Sequence, residues 1–317
     1  MRFLPTEEHR GFAASLDRLL TAADVPTVAR AWASGDVAPG RKLWSRLVDQ
    51  GVTALLLAEE DGGAGATMVD ATIAFEQLGR HLVPGPWIES AAYLPVLGVP
   101  LDPEQMTTVA VPPLTPYAVD AQVADRVLVV TGDAVHTGVV GAALASIDTT
   151  RTLHEVTPDG APVTHTGDPA KALDAAVLAC SAQLLGLGER MLHEAVGYVK
   201  QRRQFGREIG SYQAIKHALA DVRIGLDFAR PLIAGAAVGF DGPERTRDCA
   251  AAKVGAAEAA DRAMRTALQV HGAIGYTAEL DLSLALLKTR ALVGAWGNPT
   301  HHRGVVLARL EAPCTSA

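Results

Sequence analysis

The segment Tyr198-Val-Lys-Gln-Arg-Arg-Gln-Phe-Gly-Arg-Glu-Ile-Gly-Ser-Tyr-Gln-Ala-Ile-Lys-His217 separates two long Ala/Leu-rich stretches of helical periodicity, so it reads as the corner joining two helices. A plain helix–helix turn needs a glycine or two, and Gly206 and Gly210 supply them. It needs neither three arginines (Arg202, Arg203, Arg207) nor Phe205. Guanidinium groups are permanently charged, planar and suited to bidentate contact with phosphate or carboxylate. A solvated basic corner and an anion-binding corner are the two readings of this stretch.

Outward from the corner, the C-terminal half divides into helices. Asp168-Pro169 is a helix start, with Asp as N-cap and Pro at the first position. The first helix is expected from Pro169 to about Lys200 and the second from Ser211 to about Val238, with a kink at Pro231. A third runs from near Pro243 to His271-Gly272, and a fourth from near Ala278 to the break at Asn298-Pro299, before a short last helix to about Leu310. Long segments with short connections predict an antiparallel four-helix bundle.

The N-terminal stretch to about residue 98 is also helical, with Thr6 as an N-cap and apolar stripes at Phe12/Leu16/Leu19/Leu20, Leu43/Trp44/Leu47/Val48 and Ala71/Phe75/Leu78/Leu82. The glycines of Glu59-Glu-Asp-Gly-Gly-Ala-Gly65 lack the spacing and strand–helix setting of a phosphate loop. Between the helical parts the composition changes to Val, Thr, Pro and Gly from Thr107 to Val140, which predicts four to six short strands.

Of the 317 residues, 49% are hydrophobic but only 5% aromatic, which suits close-packed helices built from Ala, Leu and Val. The formal net charge of -7 argues against nucleic acid or an anionic membrane as main partner, so a local basic corner points to a specific anionic ligand. Cys180, Cys249 and Cys314 are widely spaced and form no CxxC, as expected of reduced thiols. Without an N-terminal signal-type segment or a bilayer-length apolar run, a cytoplasmic location is expected.

The order helical domain, small β domain, helical bundle resembles the acyl-CoA dehydrogenase family, and the motifs agree. Leu43-Trp44 with Ala58-Glu-Glu-Asp-Gly-Gly-Ala-Gly65 is similar to that family's "LW…PEEdGGxG", Glu76-Gln-Leu-Gly-Arg80 to its "EeLGR", Arg202-Arg-Gln-Phe-Gly206 with Tyr212-Gln213 to its "RxqFG…yQ", and Gln269-Val-His-Gly-Ala-Ile-Gly-Tyr276 to its "QvhGGiGY". The resemblance implies a mostly α fold with an N-terminal helical domain (1–98), a reduced middle β domain (99–167) and a C-terminal four-helix bundle (168–317). It also implies FAD as cofactor. Arg202, Phe205, Gln213, Gln269, Gly272 and Ala273 would contact the pyrophosphate and adenosine half of a flavin held mainly by the neighbouring subunit. Ala273 replaces the family's second glycine.

Two departures carry information. No "TEpxaGSD"-like flavin loop occurs in the middle segment, and the "YEGT"-like stretch that carries the family's glutamate base reads Gly294-Ala-Trp-Gly-Asn-Pro-Thr-His-His302, with Asn298 or Gly297 at the base position. An amide cannot abstract a proton. The alternative base position, on the first bundle helix, offers only Ala175-Ala-Val177. No catalytic residue is therefore expected in this chain. The pattern resembles the short, degenerate subunit of heteromeric (α2β2) steroid- and cholesterol-catabolic acyl-CoA dehydrogenases, whose full-length partner would supply base and flavin pocket for α,β-desaturation of a bulky acyl-CoA. A stand-alone homo-oligomeric dehydrogenase with an unrecognised base and a non-catalytic scaffold are the alternatives. Among secondary candidates, His301-His302 reads as a solvated or capping pair rather than a metal site, and Glu279 and Asp281 as helix N-terminal acids. Glu89 is an acid near a possible cleft, and Arg223 and Arg230 reach either a CoA phosphate or a neighbouring helix.

Overall fold

The computed structural model describes residues 4–311; Cys314 lies outside them. Four N-terminal helices come first: α1 (Glu7–Ala22), α2 (Val25–Ala33), α3 (Ala38–Val48) and α4 (Met68–Arg80). Thr6 caps α1, its hydroxyl accepting from the His9 amide at 3.2 Å. Thr67 and Asp70 form a capping box on α4. Trp44 and Trp87 are both buried, with ring centroids 4.0 Å apart, so the Leu43-Trp44 motif is core packing. A π-helical turn, Glu89–Tyr93, leads into the single-turn α5 (Leu94–Leu97).

The strands form one five-stranded sheet: β1 (Thr107–Ala110), β2 (Ala118–Val119), β3 (Arg126–Thr131), β4 (Ala134–Leu144) and β5 (Leu153–Val163), in the order β1-β3-β4-β5-β2. β1 and β3 are parallel and the other pairs antiparallel. The sheet extends further along the chain than the Thr107–Val140 composition suggested. The reason is that most of β4 and β5 pair as an exposed ribbon carrying little of the apolar alternation that marks a half-buried strand.

Helix α6 (Pro169–Gln201), 33 residues long, is the axis of the molecule. Asp168 caps it by accepting from the Ala170 amide at 2.9 Å. It is long and apolar enough to cross a membrane, but 83% of its most apolar window is buried inside the fold. It packs against α4, α7 (Gln213–Val238) and α8 (Arg245–His271). The contact with α4 is backbone on backbone. A Cβ at Gly79 would stand 2.1 Å from the Gln183 carbonyl oxygen, and one at Gly186 2.0 Å from that of Glu76. The glycine of Glu76-Gln-Leu-Gly-Arg80 is therefore a packing requirement. Helix α7 continues through Pro231, and α9 (Leu282–Gly294) and α10 (Pro299–Glu311) complete the bundle.

Candidate functional site

The corner between α6 and α7 is not a plain helix–helix turn. It is a β-hairpin, β6 (Arg203–Gln204) against β7 (Arg207–Glu208), and the two residues between them are Phe205 and Gly206. Both have positive φ, 52° and 80°, as a type I′ turn requires. Glycine tolerates this conformation and phenylalanine does not favour it. Nothing among the described residues holds the ring in exchange, for Phe205 is 90% exposed.

The three arginines of the corner differ in what they touch. Arg207 lies over the Tyr212 ring, 3.9 Å from its centroid. Arg203 reaches the Gly206 carbonyl at 3.4 Å and stands 4.0 Å from Glu208. Arg202 is the C-cap of α6; its backbone N–H donates to the Tyr198 carbonyl, and its exposed guanidinium has no partner among the described residues. Gln213 opens α7, whose first amides have no side-chain cap.

The second motif sits beside the first. α8 ends at His271, and the His271 ring stacks on Tyr198 with centroids 4.3 Å apart while the Tyr198 hydroxyl donates to the His271 carbonyl at 3.4 Å. Arg202, four residues beyond Tyr198, and Gly272, one beyond His271, therefore emerge at the same end of the bundle. Gly272 has φ 63° and ψ -140°, a conformation that essentially only glycine adopts, and a Cβ there would meet no atom within 4 Å. The position needs glycine for its backbone, and its surroundings are open. Gln269 and Ala273 are likewise exposed. The free guanidinium and the uncapped amides of α7 are donors that suit a pyrophosphate; Gly272, whose own N–H donates to the Leu268 carbonyl, leaves open space beside them, and Phe205 offers a face to a base or ribose. Tyr276, 78% exposed, extends the apolar edge and was not among the residues expected from the motif.

The stretch expected to carry the base is closed. Trp296 is fully buried, with its ring centroid 5.4 Å from that of Tyr93, and Gly297 follows it with φ 90°. Asn298 caps α10, its side-chain oxygen accepting from the His301 amide at 2.9 Å. His302 is not solvated: it is buried and hydrogen-bonded to the Trp296 carbonyl at 2.9 Å, and burial pushes its pKa down to about 4. His301 is the exposed member of the pair and meets His302 edge-on.

The remaining candidates resolve as structural contacts. Arg223 makes two bonds to Glu189, at 2.8 and 2.7 Å, and Arg230 joins the same carboxylate at 2.8 Å while also gripping Glu76. Burial pushes Glu189 up, but the two guanidinium groups outweigh it and hold its pKa below the usual range. Both arginines therefore bridge helices. Asp281, at the start of α9, pairs with Arg30 at 2.9 Å instead of capping its own helix, and Glu279 is exposed. Glu89 lies within the π-helical turn, 2% exposed, with one carboxyl oxygen unpartnered; burial raises its pKa.

N-terminal helices, a small sheet and a C-terminal helical bundle, in that order, define the acyl-CoA dehydrogenase class of fold. Family models agree: "Acyl-CoA dehydrogenase, N-terminal domain" matches residues 6–97 and "Acyl-CoA dehydrogenase, C-terminal domain" residues 169–311. Acyl-CoA dehydrogenase IpdE2 of Mycobacterium tuberculosis is 32% identical over 321 residues, covering 97% of this chain and 98% of the relative. Among solved structures, the ChsE4-ChsE5 complex from Mycobacterium tuberculosis aligns with TM-score 0.84 at 24% identity, over 99% of this chain and 100% of that one. The Tcur3481-Tcur3483 steroid ACAD aligns with TM-score 0.80 at 21% identity, over 98% and 99%. The chain belongs to the acyl-CoA dehydrogenase family, and its reaction class is oxidoreduction at a CH–CH bond of an acyl-CoA.

Proposed function

We propose that this chain is the non-basic subunit of a heteromeric FAD-dependent acyl-CoA dehydrogenase, contributing a pyrophosphate and adenosine clamp to a flavin seated mainly in a full-length partner. The observation that carries this reading is the uncommitted Arg202 guanidinium beside an exposed, left-handed Phe205, at the bundle end shared with Gly272. FAD, when bound, supplies the hydride-accepting chemistry of α,β-desaturation. Arg202 would bind the pyrophosphate, Phe205 would cover the base or ribose, and Gly272 would let backbone approach a phosphate oxygen. Gln213, Gln269 and Ala273 would complete the contact.

The partner would supply the base, because neither position at which the family carries one holds a carboxylate here. In the family's "YEGT" the glutamate precedes the glycine, and the residue preceding Gly297 here is Trp296. That register puts Trp296, rather than Asn298, in the base's place. Neither side chain abstracts a proton, and the buried indole occupies the space. The division into domains at 98/99 and 167/168, the bulky steroid-derived acyl group and the cytoplasmic location belong to the same reading. The ChsE4-ChsE5 complex and the steroid ACAD among its structural neighbours favour the heteromeric and steroid elements.

The test is co-expression with a full-length homologous subunit, followed by the flavin-to-protein absorbance ratio. Arg202→Ala is expected to lower bound flavin and acyl-CoA oxidation several-fold. Unchanged flavin and activity would overturn the clamp and favour a scaffold; a yellow, active chain purified alone would favour the stand-alone enzyme.

A further inference from the structure

A second site lies away from the clamp, where the sheet meets the C-terminal end of α9. A cavity of about 310 Å³ is walled by Leu114, Tyr117, Val119, Ile147, Leu153 and Ala291. Its volume is at the lower end of small-molecule sites, roughly 300–1,000 Å³. Four polar side chains line it: Ser146 accepts from the Asp148 amide at 3.2 Å, Tyr117 stands at the exposed rim, and Arg151 and Thr115 have no partner among the described residues. Arg151 is 9% exposed, and its guanidinium makes no hydrogen bond or ion pair with any described residue. Thr115 is also 9% exposed, and its hydroxyl oxygen is buried without a partner.

Burying an unpaired guanidinium is costly, and a fold under no other demand pairs it or replaces it. The acids nearby do not pair with it. Asp148 receives the Thr150 amide and hydroxyl at 2.9 and 2.8 Å and faces Lys288 at 3.8 Å, so those two charges offset each other. Asp120 accepts from the Thr152 amide at 2.9 Å, and burial raises its pKa to about 7. Burial likewise raises Glu89. No carboxylate of the described residues comes within ion-pair distance of Arg151, so its positive charge stands without a direct counter-ion at the wall of the cavity.

We infer that this cavity binds a compact apolar monocarboxylate, with the carboxylate on Arg151 and the hydrocarbon body against the aliphatic wall. A guanidinium donates two parallel hydrogen bonds in one direction, which suits a planar carboxylate. An apolar wall with one charged anchor excludes strongly hydrated inorganic anions and rewards a hydrocarbon body. The site uses none of the clamp residues, so it stands or falls independently of the proposed flavin role.

The experiment is isothermal titration of the full chain, purified with whatever subunit accompanies it, using cyclohexanecarboxylate, the isosteric cyclohexanecarboxamide and inorganic phosphate as probes. The carboxylate is expected to bind at least tenfold more tightly than the amide, and phosphate not to compete. Arg151→Gln is expected to abolish the preference for the carboxylate while keeping or raising thermal stability, since it removes an unpaired buried charge. Gly294→Leu provides a second variant: Gly294 lines the cavity, and a Cβ there meets no atom within 4 Å, so the larger side chain narrows the cavity without forcing the fold. Carboxylate affinity is expected to fall at least tenfold. Equal binding of carboxylate and amide, full competition by phosphate, or unchanged affinity in either variant would overturn the assignment. Bound flavin, read in the same samples, is expected to stay constant, which separates this result from the clamp experiment.

Discussion

Lys253 donates from its ammonium nitrogen to the carbonyl oxygen of Leu292 at 2.7 Å, and both lie inside the bundle, on α8 and α9. The same nitrogen reaches the Ala295 carbonyl at 2.8 Å and the Cys180 sulfur at 3.1 Å. The three donors of a lysine are thus all used, and two of the acceptors are carbonyls that the end of α9 leaves without helical partners. Burial lowers the lysine's pKa, opposed by Cys180, yet the contacts make a fully satisfied buried cation. This clamp fixes the chain just before Trp296.

Lys253→Met should therefore be destabilising despite its similar length and apolar character. It leaves the Leu292 and Ala295 carbonyls with only the weak Cys180 thiol donor, at 3.5 and 4.0 Å, a loss of about 1–3 kcal/mol each, and removes the desolvation cost of the ammonium in partial compensation. A net loss of about 2–4 kcal/mol is expected from urea unfolding. A variant as stable as the parent would show that the end of α9 relaxes to find other donors.

The α4–α6 crossing should tolerate no added carbon. Gly79→Ala and Gly186→Ala each drive a methyl into a backbone carbonyl of the facing helix, not into a side chain that can swing away. Overpacking of this kind costs about 1–3 kcal/mol, read as a lowered urea midpoint. Gly197→Ala is the control on the same helix: a Cβ there meets nothing within 4 Å, so removing a helix-interior glycine should stabilise by about 0.5–1 kcal/mol.

Glu189 is the hub of the Arg223 and Arg230 contacts, and the two sides of the cluster should respond unequally. Arg230→Gln removes a half-exposed partner and should cost about 0.5–1 kcal/mol. Glu189→Gln removes the carboxylate that both arginines share and should cost more, about 2–3 kcal/mol. Neither substitution is expected to alter flavin content or the KM for acyl-CoA. A several-fold rise in KM for Arg230→Gln would return that residue to a substrate role.

His302 sets an acid limb of stability. Its pKa falls to about 4 in the fold from about 6.5 in an unfolded chain. Between these values the unfolded state binds the extra proton, so this residue's contribution declines as pH drops from about 6.5 to 4 and levels off below. At about 1.36 kcal/mol per unit the loss approaches roughly 3 kcal/mol. Asp120, raised to about 7, acts in the opposite direction over much of this window. The measurement is therefore the difference in unfolding free energy between parent and His302→Gln across pH 4–8, which is expected to slope in favour of the variant on acidification. A flat difference would remove His302 from the acid response.

Helix boundaries and apolar faces were legible in the sequence wherever they obeyed a period or a cap. Thr6, Asp168 and the glycine after His271 marked helix ends correctly, because capping is a local rule. The hairpin at Arg203–Glu208 was not legible, since each strand is two residues long and carries no alternation. Arg223 and Arg230 could not be assigned from their own helix because their partners Glu76 and Glu189 lie 154 and 41 residues from Arg230. His302 and Lys253 were invisible as buried groups for the same reason: the carbonyls that satisfy them are set by tertiary packing. The clamp motifs were readable as patterns, but that Arg202 alone among the three arginines is uncommitted is a property of the fold.

Phe205 separates a structural explanation from a functional one. In a hairpin that exists only to connect α6 and α7, the first turn position would favour glycine or asparagine, since a left-handed phenylalanine costs about 1–2 kcal/mol. Its ring recovers none of that cost within this chain, being 90% exposed. Phe205→Gly should thus raise the unfolding free energy of the isolated chain by a few tenths to about 1 kcal/mol, the gain in strain being partly offset by the greater entropy of glycine in the unfolded state. The co-expressed complex should respond in the opposite sense, retaining flavin less tightly by several-fold in a dilution or dialysis series. Opposite signs in the two measurements would show strain held for recognition of another molecule. If the variant loses stability in the isolated chain, the ring has a packing role that its exposure conceals. If flavin retention is unchanged, the hairpin tip lies outside the cofactor contact and Arg202 must bind without it.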